Sequence, residues 1–126
     1  MNKNATKTTL VIGASENTAR YSNMALKLLK LFGHPTLAFG KQSGEVEGQR
    51  IETQLNTFTG QEIDTVTMYL NPQNQTKYYQ DIIQLKPKRV IFNPGTENDE
   101  FVELLHQNDI ETEEACTLIL LKSGQY

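Results

Sequence analysis

A chain of 126 residues is long enough for one domain with its own core, and we expect residues 1–126 to form a single domain. The formal net charge of −3 argues against the broad basic surface that nucleic-acid binding requires, although it leaves room for a local cationic pocket. The single cysteine, Cys116, excludes an internal disulfide and favours the cytoplasm. We expect no signal peptide and no membrane span, and a flexible N-terminus over residues 1–6.

The first third of the chain predicts a strand, a helix and a second strand. Residues 8–12 form a short apolar run with β-branched members, which is typical of a buried strand. Residues 36–39 predict the second strand. The helix between them is expected over residues 22–32, ending at Gly33, with a buried face formed by Met24, Ala25, Leu28, Leu31 and Phe32. A loop with three glycines is expected over residues 40–49, followed by an ambiguous segment over residues 50–58 that suits a short strand and a turn.

The second half repeats the alternation of strands and helices. Strands are predicted over residues 64–70, 89–92 and 110–112. Asn71 is expected to cap a helix that has Pro72 at its first position and ends before Pro87. Thr96 is expected to cap the next helix, whose apolar face is formed by Phe101, Val102, Leu104 and Leu105. Residues 115–122 predict a last short helix.

This alternation predicts an α/β fold with a doubly wound, mostly parallel sheet and helices on both faces. Such sheets bind ligands outside the carboxyl ends of their strands. Three strand-to-helix turns should meet there: residues 13–20, 70–73 and 93–96. The glycine-containing loop at residues 40–48 follows the second strand and should lie on the same edge.

The turn in TTLVIGASENTARYS, residues 8–22, is the strongest functional signal in the sequence. An apolar strand ends at Gly13, small residues follow, and Arg20 precedes a helix, so backbone N–H groups and the positive end of a helix dipole should converge on one spot. This arrangement suits a phosphate, although the same residues also make an ordinary turn with hydrogen-bonding caps. The fingerprint of dinucleotide-binding turns, G-x-G-x-x-G, is broken here by Ser15 and Thr18.

Two further observations argue against a nicotinamide dinucleotide. The second strand ends without an acidic residue for a ribose diol, and Lys41 stands there instead. Arg20 and Lys41 are therefore the candidate phosphate ligands, since Arg offers a planar fork and Lys a point charge.

Candidates for catalysis are few. His34, His106 and Cys116 have no evident partner in the sequence, and no zinc-binding or triad pattern occurs. We therefore predict neither catalytic residues nor a metal site.

Five segments in order resemble one family. The segments LVIGASENTARYS, FGKQSGEVEG, DTVTMYLNPQNQ, KPKRVIFNPGTEN and EACTLILLKSGQY are similar to those of the small, free-standing coenzyme A (CoA)-binding proteins of bacteria. That family looks like the CoA-binding domain of the succinyl-CoA synthetase α subunit, and the match runs from about Lys7 to Tyr126.

The resemblance implies a Rossmann-like domain that binds CoA or acyl-CoA across the carboxyl ends of its strands. The site residues that it implies are Gly13, Ala14, Ser15, Asn17, Thr18 and Arg20 around the pyrophosphate, Lys41 at a phosphate of the 3′-phospho-ADP part, and Leu70, Asn71, Pro72, Asn93, Pro94 and Gly95 flanking the ligand. The catalytic histidine of the synthetase belongs to a domain that does not match this sequence, which implies binding without catalysis.

Two alternatives remain open from the sequence. One is an enzyme that uses NAD(P) or another nucleotide, and the other is a regulatory or interaction protein that senses CoA. We expect a small-molecule ligand rather than nucleic acid or membrane. A homodimer or a protein partner is also compatible with the sequence, and the apolar segment from Leu118 to Leu121 could serve such an interface.

Overall fold

The computed structural model describes residues 5–126, which contain seven β-strands and five α-helices. The strands are β1 Thr9–Ile12, β2 Thr36–Phe39, β3 Gly44–Val46, β4 Gln49–Glu52, β5 Thr65–Met68, β6 Arg89–Phe92 and β7 Glu111–Glu114. The helices are α1 Tyr21–Leu31, α2 Pro72–Gln75, α3 Tyr79–Leu85, α4 Asp99–Gln107 and α5 Thr117–Lys122, with short 3₁₀ helices at Leu55–Phe58 and Thr76–Tyr78. Of the flexible N-terminus expected over residues 1–6, residues 1–4 lie outside the described residues.

The strands form one sheet in the order β3-β4-β2-β1-β5-β6-β7. Every neighbouring pair is parallel except β3 and β4, which form an antiparallel hairpin at one edge. The expected α/β, doubly wound, Rossmann-like architecture is confirmed. The chain builds outward from β1 to β2 on one side and then crosses to β5 on the other, so the strand order reverses next to β1. This reversal opens a crevice at the carboxyl ends of the central strands.

Two hydrophobic clusters cover the two faces of the sheet. On one face, Leu26 and Leu29 of α1 and Leu121 of α5 pack against Val11 and Ala38. On the other face, α3 and α4 contribute Ile82, Phe101 and Leu105 to a larger cluster that includes Leu10, Ile12, Val66, Met68, Val90 and Phe92. Because both faces are covered, β1 and β5 are buried along their whole length, which explains their continuous apolar or β-branched sequences.

The prediction of a loop over residues 40–49 is partly wrong, because this segment contains β3 and the first residue of β4. Val46 and Gln49 pair in register, so Glu47 and Gly48 form a two-residue hairpin turn with φ values of 52° and 80°. Positive φ at both central positions is what a tight hairpin turn requires. Glu-Gly is a weaker signal for this turn than Asn-Gly or Asp-Gly, which is why the composition suggested a loop.

The expected buried face of α1 is correct at Ala25, partly correct at Leu28 and wrong at its other three positions. The side chains that the helix buries are Ser22, Asn23, Ala25, Leu26 and Leu29, whereas Met24, Leu31 and the following Phe32 are exposed. The leucine-rich sequence offers two adjacent stripes at helical spacing, and pattern alone cannot choose between them. The observed stripe brings Asn23 beneath the turn that precedes the helix, where its Nδ2 donates to the carbonyl of Ser15 at 2.9 Å.

Helix capping follows the sequence at one turn and departs from it at another. Asn71 caps α2 as predicted, with Oδ1 accepting from the amide of Asn74, and Pro72 follows it. The cap of α4 is Asn98 rather than Thr96, because Asn98 Oδ1 accepts from the amide of Phe101 at 3.1 Å. The Thr96 hydroxyl instead donates to the carbonyl of Asn93 at 2.7 Å.

At Gly40, the turn after β1 packs closely on the end of β2. A Cβ at residue 40 would lie 2.3 Å from the carbonyl oxygen of Ala14 and 3.0 Å from Ile51 Cγ2. We expect Gly40→Ala to lower the free energy of unfolding by about 1–3 kcal/mol, the usual cost of overpacking. Chemical denaturation measures this, with Ser43→Ala, at an exposed position in the same loop, as the near-neutral control. Equal stability of the two variants would contradict this account of the turn.

Candidate functional site

A cleft opens where β1, β2 and β5 end. Its larger part is a cavity of about 380 Å³, lined by Gly13, Ala14, Ser15, Arg20, Lys41, Gln42, Leu70 and Asn74. A smaller part of about 110 Å³ shares four of these residues and adds Phe39, Gly40, Lys77 and Tyr78. The structure thus brings together six of the residues singled out from the sequence, from three separate turns.

The turn after β1 is fixed to the end of β2. The amides of Gly13 and Ala14 both donate to the carbonyl of Phe39, each at 2.9 Å. Gly13 has a φ of +97°, and a Cβ there would lie 3.2 Å from the backbone and the side chain of Tyr69. A glycine is therefore needed at this position on grounds of both backbone conformation and space.

Side chains inside the turn hold its shape. Ser15 Oγ accepts from the amide of Asn17 at 3.0 Å, and Asn17 Oδ1 accepts from the amide of Ala19 at 2.9 Å. Among the hydrogen bonds of the described residues, none uses the amides of Ser15, Glu16 or Thr18 as donors. Asn17 and Thr18 are exposed and stand beside the cavity rather than in its lining. The turn therefore offers backbone donors, while its short polar side chains are used for structure.

The start of α1 adds positive potential to the cleft. Arg20 occupies the N-cap position without a side-chain capping bond, and the first turn of the helix has no acidic residue. The partial positive charge at the N-terminus of α1 is therefore not offset by a nearby carboxylate. An anion beside Arg20 would meet both the helix terminus and a guanidinium.

Three cations line the cleft: Arg20 and Lys41 in the larger part, and Lys41 and Lys77 in the smaller. The ion pairs found among residues 5–126 join Arg50 to Glu52, Lys88 to Asp64 and Arg89 to Glu113, so none of them uses a cleft cation. The lining contains no carboxylate. In a chain of net charge −3, the cleft is a local concentration of positive charge.

The smaller part of the cleft has two aromatic side chains, in contact with each other, in its lining. Tyr78 meets Phe39 edge to face, with ring centroids 5.1 Å apart and an interplanar angle of 80°. Lys77 Nζ lies 5.3 Å from the centroid of the Tyr78 ring, and Lys41 lines the same cavity. Apolar walls with cations at the rim suit a flat ring that carries a nearby anionic group.

Sequence reasoning missed several cleft residues. Phe39 was predicted only as part of a strand and Gly40 only as part of a loop. Gln42, Asn74 and Lys77 were not singled out. Tyr78 was placed within one long helix. The structure interrupts that helix with the 3₁₀ turn at Thr76–Tyr78, which swings Lys77 and Tyr78 towards the end of β2. The Lys77-Tyr78 pair following an Asn-Pro cap was the only available signal, and it has no meaning until the register of the turn is known.

Asn71 and Pro72 are absent from the lining of the cleft, but they directly follow Leu70, which lines it. Leu70 lines both cavities, whereas Asn71 is occupied as the cap of α2. Gln75 fixes this turn, since its Nε2 donates to the carbonyls of Leu70 and Thr96, each at 2.8 Å. The turns after β5 and β6 are thereby joined.

Asn93 is a structural residue in its side-chain contacts. Its Nδ2 donates to Thr67 Oγ1 at 2.7 Å and to the carbonyl of Met68 at 2.9 Å, and its Oδ1 accepts from the amide of Thr117 at 2.8 Å. The residue is only 2 % exposed, so no group of this amide is left for a ligand. Pro94 and Gly95 are exposed beyond it and line neither part of the cleft.

The titratable candidates lie away from the cleft. His34 precedes β2 and therefore lies at the amino ends of the strands, where its Nδ1 accepts from the amide of Lys7 at 3.0 Å. Burial and the neighbouring Lys7 lower the pKa of His34. His106 hydrogen-bonds to Thr112, and Cys116 is half-buried at the start of α5. Burial raises the pKa of Tyr69 to about 12, so this hydroxyl, packed against the α1–α5 core, stays protonated.

Residues 5–126 contain neither a candidate metal site nor a candidate membrane-spanning helix. No group of three or more His, Cys, Asp or Glu side chains within residues 5–126 is arranged to hold a metal ion. None of the helices in that part of the chain has both the length and the hydrophobicity needed to cross a membrane.

Comparison with known families and structures gives one family and one consistent fold. A family model described as a CoA binding domain matches residues 7–122. A crystal structure of an uncharacterized protein is 48 % identical, with a TM-score of 0.92 over 97 % of this chain and 99 % of the other. A Thermus thermophilus protein, cell-free ID.343, is 20 % identical, with a TM-score of 0.84 over 96 % of this chain and 91 % of the other. No protein of curated function matches the sequence.

A larger enzyme contains a similar fold. The dinucleotide-forming acetyl-coenzyme A synthetase 1 of Candidatus Korarchaeum cryptofilum, in complex with phosphate and ADP, is 14 % identical, with a TM-score of 0.73. The match covers 86 % of this chain but 25 % of the enzyme. At this identity the likeness concerns the fold alone.

The buried amide of Asn93 yields a stability prediction. Asn93→Ala removes three hydrogen bonds and leaves the amide of Thr117 unpaired, so we expect the free energy of unfolding to fall by about 2–4 kcal/mol. Asn71→Ala, which removes an exposed cap, is the matched control and should cost about 1 kcal/mol. Urea denaturation of both variants makes the comparison. A smaller loss for Asn93→Ala than for Asn71→Ala would show that the buried network is not structural.

Proposed function

The chain belongs to the CoA binding domain family, and on that premise we propose that it binds coenzyme A or acyl-CoA without catalysing a reaction. The observation that carries the proposal is the cationic cleft at the ends of β1, β2 and β5, which has phosphate-binding groups and no carboxylate in its lining. CoA is a strongly anionic ligand with a pyrophosphate and a 3′-phosphate, so it requires such a cleft.

In this proposal the pyrophosphate binds at the turn of residues 13–20. Gly13, Ala14 and Ser15 line the cavity there, and Asn17 and Thr18 complete the turn. The amides of the turn and the N-terminus of α1 donate to phosphate oxygens, and Arg20 provides the charge. Of the two residues that stand in place of fingerprint glycines, Ser15 braces the turn through its hydroxyl, whereas Thr18 is exposed.

The 3′-phospho-ADP part occupies the side of the cleft at β2. Lys41 binds the 3′-phosphate, and Lys77 lines the same part of the cleft. The purine ring packs against the half-buried Tyr78 in the smaller part of the cleft. An acid at the end of β2, as in proteins that hold a ribose diol, would repel the 3′-phosphate, and the cleft has none.

The pantetheine arm runs from the cleft towards β6. Leu70, Asn71 and Pro72 flank it on one side, and Pro94 and Gly95 flank it on the other. Asn93 contributes by holding the β6 turn against β5 rather than by contacting the ligand. This assignment keeps all the turn residues implied by the family resemblance and changes only the role of the Asn93 side chain.

Catalysis is left out of the proposal because of the composition of the cleft. Its lining has no His, Cys, Asp or Glu, and these are the side chains that most often transfer protons or attack thioesters. We further propose that residues 1–126 act as one domain in the cytoplasm. A protein that only binds CoA could also signal its presence to a partner.

Ligand titration tests the proposal. We expect CoA to bind about tenfold more tightly than dephospho-CoA, because one charge-assisted phosphate contact contributes about 1.5–3 kcal/mol, and NAD to bind least. Isothermal calorimetry with the three ligands at one salt concentration measures the order. Equal or absent binding of all three would refute it, and preferential binding of NAD would revive the nucleotide-dependent enzyme.

Substitution of Lys41 tests the position of the 3′-phosphate. We expect Lys41→Ala to weaken CoA about tenfold and dephospho-CoA hardly at all, since only CoA carries the group that Lys41 binds. Lys77→Ala measures how much Lys77 contributes to the affinity for CoA. Lys27→Ala is the control, because Lys27 is exposed and lies outside the cleft. An equal loss for both ligands would place Lys41 elsewhere along the nucleotide.

A further inference from the structure

The exposed large hydrophobic side chains are concentrated in one region. Within residues 5–126 they are Tyr21, Met24, Leu31, Phe32 and Ile119. All of them belong to α1, to the residue after it or to α5. Leu31 and Ile119 are 75 % and 65 % exposed, so neither is held in the core. Single apolar residues scattered on a surface need no explanation, but two of these five, Met24 and Leu31, line a common cavity between α1 and α5.

A groove runs between these two helices. It has a volume of about 260 Å³ and is lined by Met24, Lys27, Leu28, Leu31, Leu118 and Lys122; we call it the α1–α5 groove. Leu120 and Leu121 are buried beneath it. Of the apolar segment from Leu118 to Leu121, only Leu118 and Ile119 therefore remain for a partner.

The charges around the groove have one sign. Neither α1 nor α5 contains an acidic residue, although the chain as a whole has 15 Asp and Glu against 12 Lys and Arg. Lys27 and Lys122 stand in the lining. Lys30 turns away, since its Nζ donates to the carbonyl of Glu47 in the β3–β4 hairpin. The groove is therefore an apolar floor with two lysines in its lining, and neither forms an ion pair within residues 5–126.

We propose that the α1–α5 groove binds an amphipathic helix of a protein partner, with acidic residues beside its apolar stripe. Leucine and methionine side chains in a groove accept the ridge of such a helix, and Met adapts its shape to it. Acidic side chains on both sides of the ridge then meet Lys27 and Lys122, which fixes the orientation and disfavours basic segments.

A second copy of this chain fits the groove poorly. In a two-fold dimer the same patch faces itself, which brings the lysines of both copies together with no carboxylate from either helix between them. A membrane surface also fits poorly, because a concave groove would leave its floor unfilled against a flat interface. Charge complementarity thus selects the acidic helix among these occupants.

The groove and the CoA cleft lie on different parts of the same helix. Arg20 at the start of α1 lines the cleft, whereas the groove lining begins one turn later, at Met24, and ends at Leu31, about 16 Å from Arg20 along the axis. The two linings share no residue, so the groove proposal stands on different residues from the cleft proposal.

A matched pair of synthetic peptides tests the groove. Each is a helix of about 18 residues with the same leucine stripe, flanked by Glu in one and by Lys in the other. Fluorescence anisotropy should show the Glu-flanked peptide binding at least about tenfold more tightly at low salt. Lys27→Glu and Lys122→Glu should each reduce that preference, and the double variant should reverse it. Lys86→Glu, the same charge change outside the groove, should leave it unchanged.

Other results would overturn the proposal. Met24→Ser and Leu31→Ser, both at exposed positions in the groove lining, should weaken the Glu-flanked peptide while the melting temperature stays the same. Equal affinity for the two peptides, or no effect of these substitutions, would refute the groove as the binding site. A dimer in sedimentation that Leu31→Ser dissociates would assign the face to a second copy. Binding to phosphatidylserine vesicles that Leu31→Ser removes would assign it to a membrane.

Discussion

The cleft depends on the attachment of one turn to the end of the neighbouring strand. The carbonyl of Phe39 accepts two hydrogen bonds, from the amides of Gly13 and Ala14, and Gly40 allows the carbonyl of Ala14 to approach where any side chain would collide with it. These contacts fix the height of the turn above the sheet. The free amides of the turn, the start of α1 and Lys41 consequently face one volume, and a looser attachment would separate them.

A second set of polar contacts holds the other side of the cleft. Asn93 joins the ends of β5 and β6 to the start of α5, and Gln75 joins the turns that follow these two strands. Every atom that Asn93 offers is used inside the protein, so its amide gives the site rigidity rather than a ligand contact. A rigid wall reduces the ordering cost of binding a long, flexible ligand.

The sequence predicted the strands well and the helix faces less well. The strands β1, β2, β5 and β6 are short apolar runs bounded by turn residues, a pattern that identifies a strand buried on both faces. The face of α1 was mostly wrong because its leucines form two adjacent stripes, and only packing against the sheet and α5 decides which is buried. The cap at Asn98 was missed because Thr96 is an equally good capping residue, and the choice depends on where the β6 turn directs the chain.

The sequence by itself determined most of the order of elements, the mostly parallel sheet, the strand-to-helix turn at Gly13 and the resemblance to a CoA-binding family. These features depend on local pattern, which the chain carries at each position. Only the tertiary structure decided that Lys77 and Tyr78 face Lys41, that Asn93 is turned inward and that an acid-free apolar groove lies between α1 and α5. Each of these depends on residues far apart in sequence, whose meeting follows from helix register and from packing across the sheet.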